Sequence, residues 1–179
     1  MRRFFFLFLI VNISTVSAQK LYTKTGATYF RGSVDTFEPV EATNHSTSVV
    51  FNIETNEIAA LIFIQAFEFK VALMQEHFNE NYMESHDYPK ATFKGVVTGF
   101  DYRKKGTQEA TINGTLTIRG QSKAVSIQGV FESTGSKVIL NSKFFVKPED
   151  FGINIPNIVR SKISDLIEVS LNYELTEKS

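Results

Sequence analysis

The 179-residue sequence predicts an all-β fold, an eight-stranded antiparallel β-barrel with one covering α-helix at about 71–85. Three observations lead to this prediction. Apolar and polar residues alternate along most of the chain, as they do in strands with one buried face. Short turns separate the alternating runs, and a single segment repeats its apolar residues with a helical period. A sheet of about eight such strands loses its unpaired edges when it closes into a barrel, and a two-sheet sandwich is the alternative.

The N-terminal 18 residues are typical of a cleaved secretory signal. Arg2 and Arg3 precede an apolar run at 4–11, and small residues lead to an expected cut between Ala18 and Gln19. The apolar run is too short to span a bilayer, and no second run of spanning length follows. We therefore expect an exported protein with no stable membrane anchor and one domain at 19–179.

The first half of that domain contains strands and the helix. Strand candidates lie at 28–34, 47–53 and 58–69. The last candidate is apolar on both faces, so something should cover its outer face. We expect the helix to cover either that face of the barrel or the mouth of the barrel. The helix is predicted from apolar residues that recur on one stripe, namely Val71, Met74, Phe78 and Tyr82. Pro89 ends the helical segment before the next strand.

The second half is a series of alternating strands. They are predicted at 91–100, 111–118, 124–131, 138–146 and 167–175. Four glycines fall on the apolar rows of these strands: Gly95, Gly99, Gly114 and Gly129. Such glycines favour either a bend that closes the barrel or free volume for a ligand, and the two interpretations are compatible.

Composition excludes several functions. The chain has no cysteine, which excludes disulfides, a thiol nucleophile and a thiolate metal site. After loss of Arg2 and Arg3, 17 basic residues face 19 acidic ones, so no basic excess favours nucleic acid as a partner.

One cluster of acids and histidines raises the question of a metal or acid–base site. His77, Glu80 and Glu84 share one face of the predicted helix, and His86 lies near its end. The alternative is a solvated acidic face, which we favour because His77 has no second histidine at i+4. No Gly-x-Ser-x-Gly motif and no glycine-rich phosphate loop occurs. We expect no catalytic residue, no metal and no cofactor.

Several phrases in the second half of the chain resemble those of a known family. The segments "GTLTIRGQSKAVSI" (114–127), "FFVKPEDFGI" (144–153) and "ISDLIEVSLNYEL" (163–175), together with "YPKATF" (88–93), resemble the YceI-like, lipocalin-like polyisoprenoid-binding family. The resemblance implies an eight-stranded antiparallel barrel in the periplasm, with a long apolar channel for polyisoprenoid chains or other amphiphiles. No individual ligand residue is transferred from the family.

The resulting functional hypothesis is a periplasmic protein that carries or sequesters an isoprenoid or similar amphiphilic lipid, without being an enzyme. Alternation gives nine candidate lining residues: Phe93, Val97, Leu116, Ile127, Phe131, Leu140, Phe144, Val169 and Leu171. Some of them are expected to fill only the closed end of the barrel. A small barrel hydrolase or isomerase and a stress-protective structural protein with a filled barrel are the alternatives. A homodimer is left open.

Overall fold

A computed structural model describes residues 20–33 and 39–177, and the predicted signal segment lies outside these described residues. The strand segments are β1 (Lys20–Ser33), β2 (Glu41–Asn52), β3 (Glu57–Phe63), β4 (Phe67–Phe69), β5 (Lys90–Thr98), β6 (Gly106–Ile118), β7 (Gln121–Ser133), β8 (Lys137–Val146) and β9 (Ile163–Glu177). Antiparallel pairing places them in the order β1-β9-β8-β7-β6-β5-β3-β2, and β1 also pairs with β2, so the sheet closes on itself. This closed barrel confirms the predicted fold, and its eight wall strands are called staves below.

The strand predicted at 58–69 is interrupted. A 3₁₀ turn at Ile64–Ala66 separates β3 from β4, and both segments pair with β2, so together they make one stave. The buried side chain of Asn44 supports the interruption, because its Nδ2 donates to the carbonyl of Phe63 at 2.9 Å. Its Oδ1 accepts the backbone N–H of Ser46 at 2.8 Å. The break thus leaves no polar group of Asn44 unpaired in the interior.

One end of the barrel is filled with side chains. Residues from the first half of β1, the last half of β2 and the corresponding ends of the other staves form a continuous buried cluster. Phe131 and Phe100 stack there with their ring centroids 4.8 Å apart, and Phe51 contacts both rings. This aromatic plug closes the end of the barrel at which β1 begins and β9 ends.

The helical segment lies at the opposite end. It consists of a short α-helix, α1 (Ala72–His77), which continues as a π-helical turn at Phe78–Tyr82. The backbone N–H of Met83 donates to the carbonyl of Phe78, five residues earlier, at 2.9 Å. In the described part of the chain, no helix is both long and apolar enough to cross a bilayer.

Of the two expected positions of the helix, over the outer face of 58–69 or over the mouth of the barrel, the structure shows the second. Phe78 and Tyr82 pack against the buried cluster that includes Ile62, Ile64 and Phe67. On the outer face, Phe63 remains 44% exposed. The helical segment therefore covers the open end of the barrel, where inward-facing apolar rows would otherwise meet water.

The glycines of the apolar rows provide close packing rather than ligand volume. Gly95 and Gly114 are direct partners on β5 and β6, and the ring of Phe93 lies over both. A Cβ at Gly129 would meet Leu140 Cδ1 at 2.9 Å. Gly99 has a φ of +93°, which suits the turn after β5. The contacts at Gly95, Gly114 and Gly129 thus show a role that the sequence analysis did not name, which is room for a neighbouring side chain or strand.

Replacement of Gly114 by Val should strongly destabilise the fold. A Cβ there would lie 2.4 Å from the carbonyl oxygen of Lys94 and 2.5 Å from the Phe93 ring, and the carbonyl cannot move without disturbing the β5–β6 ladder. We expect a loss of about 2–3 kcal/mol or more in unfolding free energy, as overpacked sites show. Urea denaturation measures it, with Asn113→Ala on the exposed face of β6 as the control. Equal midpoints for both variants would contradict this account.

Candidate functional site

The open half of the barrel encloses a deep apolar cavity of about 930 Å³. Its walls come from inward-facing residues of the staves, from the helical segment and from the loop between β8 and β9. Among the described lining residues, the side chains with polar groups are few, and none of them is a carboxylate: Thr28, His77, Tyr82, Ser161, Lys162 and Tyr173. A volume near the upper end of the usual range for small-molecule pockets, with such a lining, suits a long apolar guest.

The structure brings most of the sequence-predicted lining residues together. Seven of the nine line the cavity: Phe93, Leu116, Ile127, Leu140, Phe144, Val169 and Leu171. Val97 and Phe131 face inward as well, but they are buried in the packed cluster at the closed end. Alternation identified the inward face correctly, and depth along the barrel separates the two groups. Contact of the seven with a ligand stays a prediction.

Two segments outside the barrel strands, called the irregular segments below, add lining residues that sequence reasoning did not assign. One is the loop between β8 and β9, residues 147–162, which contains a 3₁₀ turn at Pro148–Phe151 and has no strand periodicity. It contributes Phe151, Ile153, Ile155 and Val159, among others. The recurrence of isoleucine in "FGINIPNIV" was the available signal, but without a regular element the direction of each side chain could not be inferred.

The other segment is the helix, whose whole predicted stripe faces the cavity. Phe78 anchors it in an aromatic cluster with Phe30, Phe67 and Phe69. The Phe78 ring stacks on that of Phe30 at 5.3 Å and lies 5.7 Å and 5.0 Å from those of Phe67 and Phe69. This cluster attaches the helical segment to β1 and β4 at the mouth of the cavity.

Arg119 joins the two irregular segments. It occupies the two-residue turn between β6 and β7, where its φ is +47° and that of Gly120 is +72°. Its guanidinium donates to the carboxylate of Glu84 at the end of the helical segment and to the carbonyl of Gly152 in the β8–β9 loop. It also lies over the ring of Tyr88 at 5.7 Å. We call this arrangement the Arg119 clasp.

A group of three hydroxyls lies deep in the wall of the cavity. The Oγ1 of Thr28 is 2.8 Å from both Thr47 Oγ1 and the phenolic oxygen of Tyr173. Burial raises the pKa of Tyr173 to about 12, so its phenol is neutral throughout the physiological range. Because the hydroxyls satisfy one another, they impose little polarity on the cavity.

The acid–histidine cluster of the sequence does not assemble into one site. His77 lines the cavity, whereas Glu80, Glu84 and His86 line a separate shallow depression on the outer side of the helical segment. The predicted common face of His77, Glu80 and Glu84 is therefore wrong, because the π-helical turn changes the direction of the residues after His77. Within residues 20–33 and 39–177, no group of three or more His, Asp or Glu side chains is placed to hold a metal ion.

Phe78→Ala should loosen the helical segment. The change removes three ring contacts from a half-buried side chain, and a fully buried Phe→Ala change costs about 3–5 kcal/mol, so we expect a loss of about 2 kcal/mol in unfolding free energy. Amide hydrogen exchange should accelerate across 72–83. Glu80→Ala, on the same segment but outside the aromatic cluster, is the matched control. Slow, unchanged exchange in the Phe78 variant would show that the cluster does not hold the segment.

The Arg119 clasp predicts a pH-dependent contribution to stability. The hydrogen bond from Arg119 holds the pKa of Glu84 below its usual value. A carboxyl whose folded pKa is depressed stabilises the fold above its unfolded pKa, and this contribution is lost as the pH falls through the folded value. The melting temperature of Glu84→Gln should therefore lie below that of the wild type at neutral pH, and the gap should close in acid.

The matched variant for this experiment is Glu80→Gln, which removes a neighbouring carboxylate outside the clasp. Its melting temperature should follow that of the wild type across the same pH series. A Glu84→Gln gap that stays constant down to acidic pH would mean that the ion pair is not its source.

Comparison with known proteins agrees with the fold. A polyisoprenoid-binding domain from Saccharophagus degradans superposes with a TM-score of 0.76 at 13% identity, over 90% of this chain and 100% of that domain. Burkholderia cenocepacia BcnA gives 0.69 at 15% identity, over 84% and 96% of the two chains. A Campylobacter jejuni YCEI protein gives 0.58 at 17% identity, with full coverage of both.

These identities are low, so the superpositions establish the fold alone. None of the curated proteins matches the chain. The model of the YceI-like domain, however, matches residues 12–175, which is most of the sequence. The chain belongs to the YceI-like family.

Proposed function

We propose that this protein binds an isoprenoid or similar long-chain amphiphile in the barrel cavity and carries or sequesters it in the periplasm. The observation that carries the proposal is the cavity itself, about 930 Å³ enclosed by apolar side chains. The polyisoprenoid-binding domain of similar fold and the family membership support the same class of ligand. The periplasmic location rests on the signal-like sequence at 1–18.

The energetics favour a flexible apolar chain. Each buried methylene contributes about 0.8 kcal/mol, and micromolar affinity corresponds to about 8 kcal/mol. A guest of a few isoprene units supplies that amount even after the cost of association. The site needs length and dryness rather than a constellation of polar residues, and the described lining has those properties.

The proposed role is binding without catalysis. Tyr173 is the most deeply buried titratable group of the cavity, and its raised pKa makes it a poor general base at neutral pH. Its hydroxyl is engaged with Thr28, and the hydroxyl of Thr28 is engaged with Thr47. This arrangement supports a structural role for the three hydroxyls in the wall.

A paired substitution on β3 tests whether the cavity holds the ligand. Ala60 lines the cavity beside Phe93, its partner on the adjacent strand β5. Its neighbour Ala59 is exposed on the outer face. Ala60→Trp should fill part of the volume and weaken binding of a C20 prenyl chain at least tenfold, which corresponds to about 1.4 kcal/mol. Ala59→Trp adds the same side chain outside and should bind as the wild type does.

Native mass spectrometry of protein purified from its own host, with solvent extraction, should find a bound lipid. Added prenyl lipids should raise the melting temperature of the wild type and of Ala59→Trp, and much less that of Ala60→Trp. A wild-type protein that carries no lipid and is not stabilised by prenyl chains would overturn the proposed function. Equal binding by the two tryptophan variants would place the ligand outside the cavity.

A further inference from the structure

We propose that the mouth of the cavity selects amphiphiles with an anionic head group, and that Lys162 is the residue that recognises it. The inference rests on the proposed function, since it concerns the head group of the same ligand. The ligand class is a long apolar chain that ends in a phosphate or a carboxylate.

The charged and polar side chains of the cavity lining favour an anionic group. Among the described residues that line the cavity, Lys162 has the only permanently charged side chain, and Asp and Glu are absent. The other polar groups near it are the hydroxyl of Ser161 and the imidazole of His77, and each offers a hydrogen-bond donor. The described polar side chains of the mouth are thus biased towards donors and positive charge, whereas the chain as a whole is neutral.

Lys162 and His77 both lie near the end of β1. Ile163, which follows Lys162, pairs with Ser33 at the end of β1. Phe78, which follows His77, stacks on Phe30 two residues before Gly32 of the same strand. Lys162 and His77 therefore flank the end of β1 on the β9 side and the β2 side. A head group at that rim would lie between them, with its chain directed into the apolar interior.

The described surroundings of Lys162 leave its ammonium group available to a ligand. Arg160, two residues away, is already engaged, because it forms an ion pair with Asp165 at 3.7 Å and donates to the carbonyl of Ile155 at 3.3 Å. Within the described part of the chain, the Lys162 ammonium has no ion-pair partner. Its backbone N–H donates to the carbonyl of Val159 at 2.8 Å, which holds the turn that presents it at the mouth.

Desolvation favours this orientation of the ligand. An anion buried in the hydrocarbon interior would lose its hydration without a partner, whereas one at the mouth keeps part of its hydration and gains a charge-assisted hydrogen bond. The deep hydroxyls offer no comparable site, because Thr28, Thr47 and Tyr173 satisfy one another. The head group therefore remains at Lys162 and the apolar end lies inside.

Matched pairs of amphiphiles test the inference. Geranylgeranyl monophosphate is compared with geranylgeraniol, and palmitate with hexadecanol, by displacement of a neutral pyrene-labelled long-chain alcohol from the purified protein. We expect the wild type to prefer the anionic member about tenfold, and the preference to fall at high salt. A preference within the prenyl pair only would identify prenyl phosphates as the ligands, and one within the fatty pair only would identify carboxylates.

Three variants assign the preference. Lys162→Gln should abolish the preference, so that each anionic chain binds no more tightly than its neutral partner, and Lys162→Arg should retain most of the preference. Lys147→Gln removes the same charge from the same loop, at a residue outside the lining, and should behave as the wild type does. Equal binding of anionic and neutral chains by the wild type would overturn the inference and leave the proposed function intact. Equal losses of the anionic preference in Lys162→Gln and Lys147→Gln would also overturn the inference. Failure of every chain to bind would overturn both the inference and the proposed function.

Discussion

Closure of the sheet through β1 is the constraint on which the rest of the structure depends. β1 pairs with β2 on one side and with β9 on the other, so the staves have no free edge along their shared length. Backbone polar groups are then satisfied within the wall, and the interior presents side chains only. A dry apolar cavity is possible because of this, since an open sheet would expose unpaired N–H and C=O groups to the same space.

Closure alone does not decide whether the interior is filled. The staves carry inward apolar rows over their full length, yet the two ends are packed differently. Phe51, Phe100 and Phe131 meet at the closed end, whereas the rings of the open half, such as Phe93 over the glycines of β5 and β6, line the wall of the cavity. The same alternation thus builds a plug at one depth and a cavity wall at another.

This difference explains how far the sequence could predict the molecule. Period-two patterning depends on local geometry, so it identified the staves and the inward direction of residues such as Leu116 and Val169. Depth depends on which residues meet across the barrel, so Val97 and Phe131 were grouped with the cavity-lining residues. The Arg119 clasp and the side-chain directions of the 147–162 loop depend on turns without periodicity, and they could not be inferred from one sequence.

For the lipid of the proposed function, the irregular segments offer the route of exchange that would break the fewest backbone hydrogen bonds. Separating two staves would break a ladder of backbone hydrogen bonds, whereas the helical segment and the β8–β9 loop are held at the mouth mainly by side chains. Local opening draws on the least cooperative parts of a structure. The Arg119 clasp stabilises the covering segments, and under the proposed function it would also oppose the movement that admits a chain. Specificity and exchange would then both lie at the mouth, and the barrel below would supply the affinity.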